Sequence, residues 1–171
     1  MNAPSKLAEL MPQTIEFTLD GQPIQAFDGE TIYKAAERHG VEIPHLCFKD
    51  GYRADGNCRA CVVEVKGERT LAPSCCRNVT AGMEVKATSE RALKSQKMVV
   101  EMLLSDMPDQ GYKWIGDDAT QQHGELSAWA KKLDIAVRPE LKALRREQPK
   151  TDISHPAMAV NLDACIQCNR C

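Results

Sequence analysis

The sequence contains no run of about eighteen consecutive apolar residues, so no segment reads as a membrane-spanning helix. It has no basic excess either. Its 22 lysines and arginines stand against 24 aspartates and glutamates, for a net charge near −2, and no broad positive field exists to hold nucleic acid. Aromatic residues are scarce, at 5%. The N-terminal stretch MNAPSKLAELMPQ has one lysine and no apolar segment of about seven residues, so it does not read as a secretory signal. Cysteine is missing from 1–46 and from 77–164.

What is present is concentrated. Eight cysteines fall into two groups, five between 47 and 76 and three between 165 and 171. Without an export signal they are not read as a disulfide framework. Clustered thiols in a reducing compartment hold metal or do redox chemistry, which places the protein in the cytoplasm as an expectation. At 171 residues and 43% hydrophobic composition, one full domain and a smaller second one can pack.

Residues 1–13 read as a loose tail. From Thr14 the pattern alternates, with Ile15, Phe17 and Leu19 on one side and Glu16 and Thr18 on the other, the mark of a half-buried strand. Asp20-Gly21 signals a hairpin, and QPIQAF is the returning strand. In DGETIYKAAERHG, Asp28 is the expected helix cap, Ile32, Ala35 and Ala36 form an apolar stripe, and Gly40 sits at the C-terminal cap. An irregular loop follows from Val41 to Arg59. CVVEV, RTLAPS and MEVKA then read as three strands. The order strand–strand–helix–loop–strand–strand–strand over 14–87 predicts an α+β fold, a small mixed sheet of β-grasp type crossed by one helix.

After Thr88 the pattern turns helical, and residues 88–150 read as a helical segment. SERALKSQKMVVEMLLSDM is expected to start at a Ser89 cap and to bury Ala92, Val99, Met102 and Leu103. ELSAWAKKLDI and RPELKALRREQPK read as two further helices, the second closed by Pro149, with Trp114 and Trp129 filling volume. HPAMAVNLDACIQCNRC alternates briefly before the last cysteines.

Cys47, Cys58, Cys61 and Cys75 are spaced C-x10-C-x2-C-x13-C. Four thiolates hold a zinc ion or an iron–sulfur cluster. Glycines and small residues crowd the knuckle GYRADGNCRAC, as a [2Fe–2S] cluster needs for main-chain N–H groups to approach its sulfides. One Cys-x2-Cys knuckle with two single cysteines is the plant-type [2Fe–2S] pattern, whereas zinc ribbons use two knuckles. The first gap departs from that pattern, with ten residues in place of four. Cys76 follows Cys75 directly and is read as a small buried hydrophobe on the opposite face of the chain. Lys49, Arg53 and Arg59 are read either as raising the potential of the site or as a solvated rim. Cys165, Cys168 and Cys171 match the opening of the run C-x2-C-x2-C-x3-C-P, in which three cysteines hold one [4Fe–4S] cubane. The x3-Cys-Pro is not in the sequence, so 151–171 reads as the start of a two-cubane ferredoxin domain with an incomplete site.

HLCFKDGYRADGNCRACVVEVKG followed by APSC resembles the N-terminal [2Fe–2S] domain of three related families. These are the large iron–sulfur subunit of respiratory complex I, the diaphorase-side subunits of NAD-reducing hydrogenases, and the α subunit of cytosolic NAD-dependent formate dehydrogenases. In the complex I family, a helix such as 89–105 is followed by one histidine and three cysteines that bind a cubane. The corresponding SDMPDQGYKWIGDDATQQHGEL has no cysteine, and its His123 is read as a solvated residue. SHPAMAVNLDACIQCNRC resembles the segment leading into the two-cubane domain of the formate dehydrogenase α subunit, with His155 as a turn residue. That resemblance implies an oxidoreductase whose molybdenum or tungsten bis-pterin guanine dinucleotide centre lies outside this sequence. It also implies flavin- and NAD-binding diaphorase-type partner subunits. No catalytic residue is assigned. The hydrogenase or complex I-like subunit and a zinc-stabilised binding domain stand as the alternatives.

Overall fold

The alternating segments fold as a hairpin. β1 (Thr14–Leu19) and β2 (Gln22–Phe27) pair antiparallel from Thr14–Phe27 to Leu19–Gln22. Asp20 and Gly21 both take positive φ, at 48° and 83°, the tight turn that matches the twist of the strands. Asp20 also ties the hairpin to the chain at residues 87–88. Its Oδ1 accepts from the N–H groups of Ala87 (2.9 Å) and Thr88 (3.1 Å) and from the Thr88 hydroxyl (3.0 Å). The computed structural model describes residues 13–107, 124–145, 147, 151–160, 162 and 165–170. The tail before Gln13, the connection carrying Trp114 and His123, Pro149 and Cys171 lie outside the described residues.

Helix α1 (Ile32–Arg38) follows, capped by Thr31, whose hydroxyl accepts from Lys34 N–H at 3.3 Å. Asp28 is not the cap. With Gly29 at φ 78° it forms a turn closed by Glu30 N–H to Phe27 O, and the helix begins only after it. Ile32, Ala35 and Ala36 are buried as the stripe predicts, and Gly40 takes φ 75° just beyond the helix end. β3 (Val62–Val65), β4 (Ala72–Pro73) and β5 (Glu84–Lys86) complete a five-stranded sheet in the order β2-β1-β5-β3-β4. β5 runs parallel to β1 and antiparallel to β3. The α+β architecture is the one expected. Phe17, Leu19, Ile32, Val63 and Val85 fill the layer between sheet and helix, each worth roughly 1.5–3 kcal/mol of apolar burial.

α2 (Glu90–Ser105) starts at Ser89, whose hydroxyl accepts from Ala92 N–H at 3.2 Å. Its buried line is Ala92, Gln96 and Val100. Val99 and Leu103 are partly buried, and Met102 is exposed. The predicted face is therefore rotated. Polar Gln96 sits at its centre because its amide donates to the carbonyls of Val62 (2.9 Å) and Ala87 (3.2 Å). α3 (Glu125–Lys132) and α4 (Pro139–Lys142) pack on α2. Together they build a second core of Leu46, Ala60, Val100, Leu126 and Ala130, flanked by Trp129 and Ile166. β6 (Asp152–His155) and β7 (Met158–Val160) form a separate, exposed hairpin ahead of the last cysteines.

Candidate metal centre

Three of the predicted ligands lie on the irregular loop between α1 and β3, and the fourth lies on the turn after β4. The loop is pinned at two points. Ile43 enters the sheet core and Leu46 the helical core, which fixes Cys47 directly after them. At the other end, Ala60 is buried in the helical core and Cys61 in the sheet core. Pairing of Val62 with Pro73 and the bond from Ser74 N–H to Cys61 O (3.1 Å) bring the two strands into register. Cys61 Sγ and Cys75 Sγ then meet at 3.4 Å. The N-terminus of α1 clamps the same turn, through Ile32 N–H to Arg77 O (2.9 Å) and Tyr33 N–H to Ser74 O (3.0 Å).

The sulfurs form two pairs. Cys61 and Cys75, both fully buried, are one; Cys58, half-buried, and Cys47, buried, act on each other as the second. Among the described residues no three histidine, cysteine or carboxylate side chains converge on a single metal position. Two pairs suit two irons, each holding two thiolates, better than one tetrahedral ion.

The local electrostatics set the cysteines apart from one another. The hydrogen bond shared with Cys75, helped by the Cys75 N–H, the Ser74 hydroxyl and the N–H of Cys61 itself, pulls the Cys61 thiol down to about 6 despite burial. Cys75 is driven upward by the same bond and by burial. Burial pushes Cys58 up to about 11, while the N–H groups of Ala60 and Cys47 oppose that rise. Left-handed backbone at Gly56 and Arg59, both at φ 60°, brackets Cys58. A β-carbon on Gly56 would lie 3.0 Å from Cys76 Sγ, so only glycine fits without displacement. Ser74 is wholly buried, and its hydroxyl meets no nitrogen or oxygen partner. A buried hydroxyl whose influence falls on the Cys61 sulfur fits a sulfur-rich group at this place.

Cys76 departs from its expected place. It is exposed, its Sγ is 3.6 Å from Cys75 Sγ, and it reaches the Ala54 carbonyl at 3.4 Å. The face alternation assumed for it holds only in a strand. Residues 74–76 instead form a turn, with Cys76 N–H and Arg77 N–H both bonded to Pro73 O at 3.0 Å.

The second group lies against the first. Cys165 is exposed and Cys168 half-buried. Gln167 N–H points at Cys165 Sγ (3.4 Å), and Gln167 and Asn169 take φ 54° and 61°. Backbone in this conformation turns successive N–H groups toward an anionic centre. Arg170 is paired with Glu125 of α3, and Cys168 adds to the pull that keeps its guanidinium charged. Asn57 Nδ2 donates to Gln167 O at 2.6 Å, and Ile166 packs in the core that also touches Cys58. Sequence reading missed Asn57, Gln96 and Ser74. No local signal marks the last two, since Gln96 stands among Lys94, Ser95 and Lys97 and Ser74 beside the cysteines.

Residues 12–90 match the family model described as a 2Fe-2S iron-sulfur cluster binding domain. The chain carries a 2Fe–2S domain of that family. Around this domain it is 36% identical over 166 residues to the NADP-reducing hydrogenase subunit HndD of Solidesulfovibrio fructosivorans, which covers 92% of this chain and 27% of that protein. It is 33% identical over 163 residues to the mitochondrial NADH-ubiquinone oxidoreductase 78 kDa subunit of Candida albicans, covering 92% and 21%. The crystal structure of an NAD+-reducing [NiFe]-hydrogenase in the H2-reduced state superposes with a TM-score of 0.72 at 28% identity, over 90% of this chain and 62% of the other. The chain thus spans about a quarter of the length of the curated relatives it matches. The 2Fe–2S domain is homologous to those of complex I-type and NAD-reducing hydrogenase subunits. No helix among the described residues is long and apolar enough to cross a membrane.

Proposed function

We propose that the chain is an iron–sulfur electron-transfer module in which Cys47 and Cys58 hold one iron of a [2Fe–2S] cluster and Cys61 and Cys75 hold the other. The arrangement of the four sulfurs as two pairs carries this reading. When bound, such a cluster takes up and returns a single electron. The chain's own residues bury Cys61 and Cys75, aim the N–H groups of Ala60, Cys47 and Cys75 at ligand sulfur, and keep a fixed spacing between the two cysteine groups. These are the levers that set a cluster potential. Arg53 is engaged with Asp55 at 2.9 Å and is solvated, which favours the rim reading for it.

Replacing Cys58 with Ser is expected to bleach or shift the spin-resonance signal of the reduced protein. An unchanged spectrum would remove Cys58 from the ligand set. A colourless, zinc-bearing protein purified under argon would replace the redox reading with the zinc-stabilised binding domain.

Cys165, Cys168 and Cys171 are proposed as three ligands of a [4Fe–4S] cluster. This places the 2Fe–2S domain at 14–87, a helical segment at 88–150 and the start of a cubane domain at 151–171. The larger context is proposed to be the α subunit of a cytoplasmic NAD-dependent formate dehydrogenase. Support comes from the cysteine-free stretch 77–164 and from the run SHPAMAVNLDACIQCNRC. In that context electrons come from a molybdenum or tungsten bis-pterin centre outside this chain and leave toward a flavin- and NAD-binding partner subunit. The hydrogenase or complex I-like subunit is the second reading, favoured by the relatives above. NAD reduction by the intact complex separates them: formate-driven turnover supports the first, and hydrogen-driven turnover the second.

A further inference from the structure

Cys76 makes the sulfur site larger than its four proposed ligands. Cys61, Cys75 and Cys76 form a row of three sulfurs, with separations of 3.4 Å and 3.6 Å. Two features hold the third sulfur in place. Gly56 has no side chain to occupy the space beside it, and the Ala54 carbonyl lies 3.4 Å away. The thiol is thus seated in a notch of the loop that carries Cys58, at the solvent edge of the site.

We infer that Cys76 is a positioning residue of the 2Fe–2S site, whose S–H donates a hydrogen bond to the sulfur of ligated Cys75. The inference rests on Cys75 being a cluster ligand. Once Cys75 binds iron it carries no proton, so Cys76 is the only possible donor in that pair. Two acceptors are then within its reach, the neutral Ala54 carbonyl and the anionic Cys75 sulfur. Charge-assisted hydrogen bonds are about twice as strong as neutral ones, and the thiolate takes the proton's side of the bond. A donor on ligand sulfur stabilises the more negative, reduced cluster and raises its potential.

Gly56 leaves the space in which the Cys76 sulfur sits, and the Ala54 carbonyl is the competing acceptor for its one proton. The contact is separate from the N–H donors on Cys58 and Cys61. It adds a side-chain donor to Cys75, whose sulfur also lies 3.4 Å from Cys61 Sγ.

The test uses the intact, cluster-loaded protein with three sequences: the natural one, Cys76→Ala and Cys76→Ser. The midpoint potential is read by spin resonance during a redox titration, and the Fe–S stretching bands are read by resonance Raman in H2O and D2O. Cys76→Ala is expected to shift the one-electron equilibrium toward the oxidised form by about threefold to tenfold, a tenfold change being about 59 mV. It is also expected to lose a deuterium-sensitive Fe–S band. Cys76→Ser, which keeps an O–H donor, should restore both. Equal potentials and identical isotope shifts in all three would overturn the inference. A Cys76→Ala protein that loads no cluster would overturn it as well, by making Cys76 a ligand. If the natural protein shows no [2Fe–2S] spectrum, or Cys75→Ala leaves that spectrum unchanged, the underlying ligand assignment fails instead.

Discussion

The side-chain amide of Asn57 donates to the carbonyl of Gln167 across 2.6 Å, joining residues 110 positions apart in the chain. One end of this bond adjoins Cys58 and the other adjoins Cys168. With Ile166 packed in the core that also touches Cys58, it holds both cysteine groups in a single frame. Asn57→Ala removes the anchor. Unfolding is expected to cost about 1 kcal/mol less, and Cys168 should react several-fold faster with an alkylating reagent, as followed by mass spectrometry. Equal labelling rates would show that Ile166 and the Arg170–Glu125 pair hold the loop without Asn57.

Gln96 fastens α2 to the sheet by donating to Val62 O and Ala87 O. Gln96→Leu keeps the volume but leaves buried carbonyls short of a partner. A loss of about 2 kcal/mol is expected in chemical denaturation. A variant as stable as the natural protein would mean that those carbonyls find other donors.

Gly56 combines positive φ with a close sulfur neighbour. Gly56→Ala must strain the backbone, at about 1 kcal/mol, and push Cys76 away. The ratio of cluster absorbance to protein absorbance is expected to fall. Full loading together with unchanged stability would show that the loop yields at no cost.

Glu30 gives the fold an acid limit. Burial opposes its charge, but the Arg38 guanidinium at 2.7 Å and the Phe27 N–H at 2.8 Å outweigh that, and its carboxyl is held below the ordinary value. A lowered folded-state value means that the stabilisation is complete above the ordinary glutamate range. It is lost as pH falls through the lowered value, below about pH 4. Glu30→Gln is expected to lower Tm at neutral pH and to flatten the decline of Tm on the acid side. Parallel Tm-against-pH curves would exclude Glu30 as the source.

The order of strands and helix around the first cysteine group was legible because each element carries a local signal. Ile15, Phe17 and Leu19 alternate, Asp20-Gly21 turns, and Ser89 caps. What was not legible depends on contacts between distant segments. Gln96 reads as a surface residue until the carbonyls of Val62 and Ala87 are brought to it. Cys76 reads as opposite to Cys75 until the backbone at 74–76 is seen to turn. Asp28 reads as a cap because nothing local says that Gly29 delays the helix to Thr31. The spacing of Cys47, Cys58, Cys61 and Cys75 marked them as a donor set, but only the fold divides them into pairs.

That division coincides with the two cores. Cys61 and Cys75 belong to the sheet layer, while Cys58 packs with the helical layer and Cys47 follows Leu46 out of it. Each layer therefore supplies half of the donor set. A chain in which only one layer has condensed offers two sulfurs rather than four, so a cluster on the proposed ligands would close only once both halves have folded against each other.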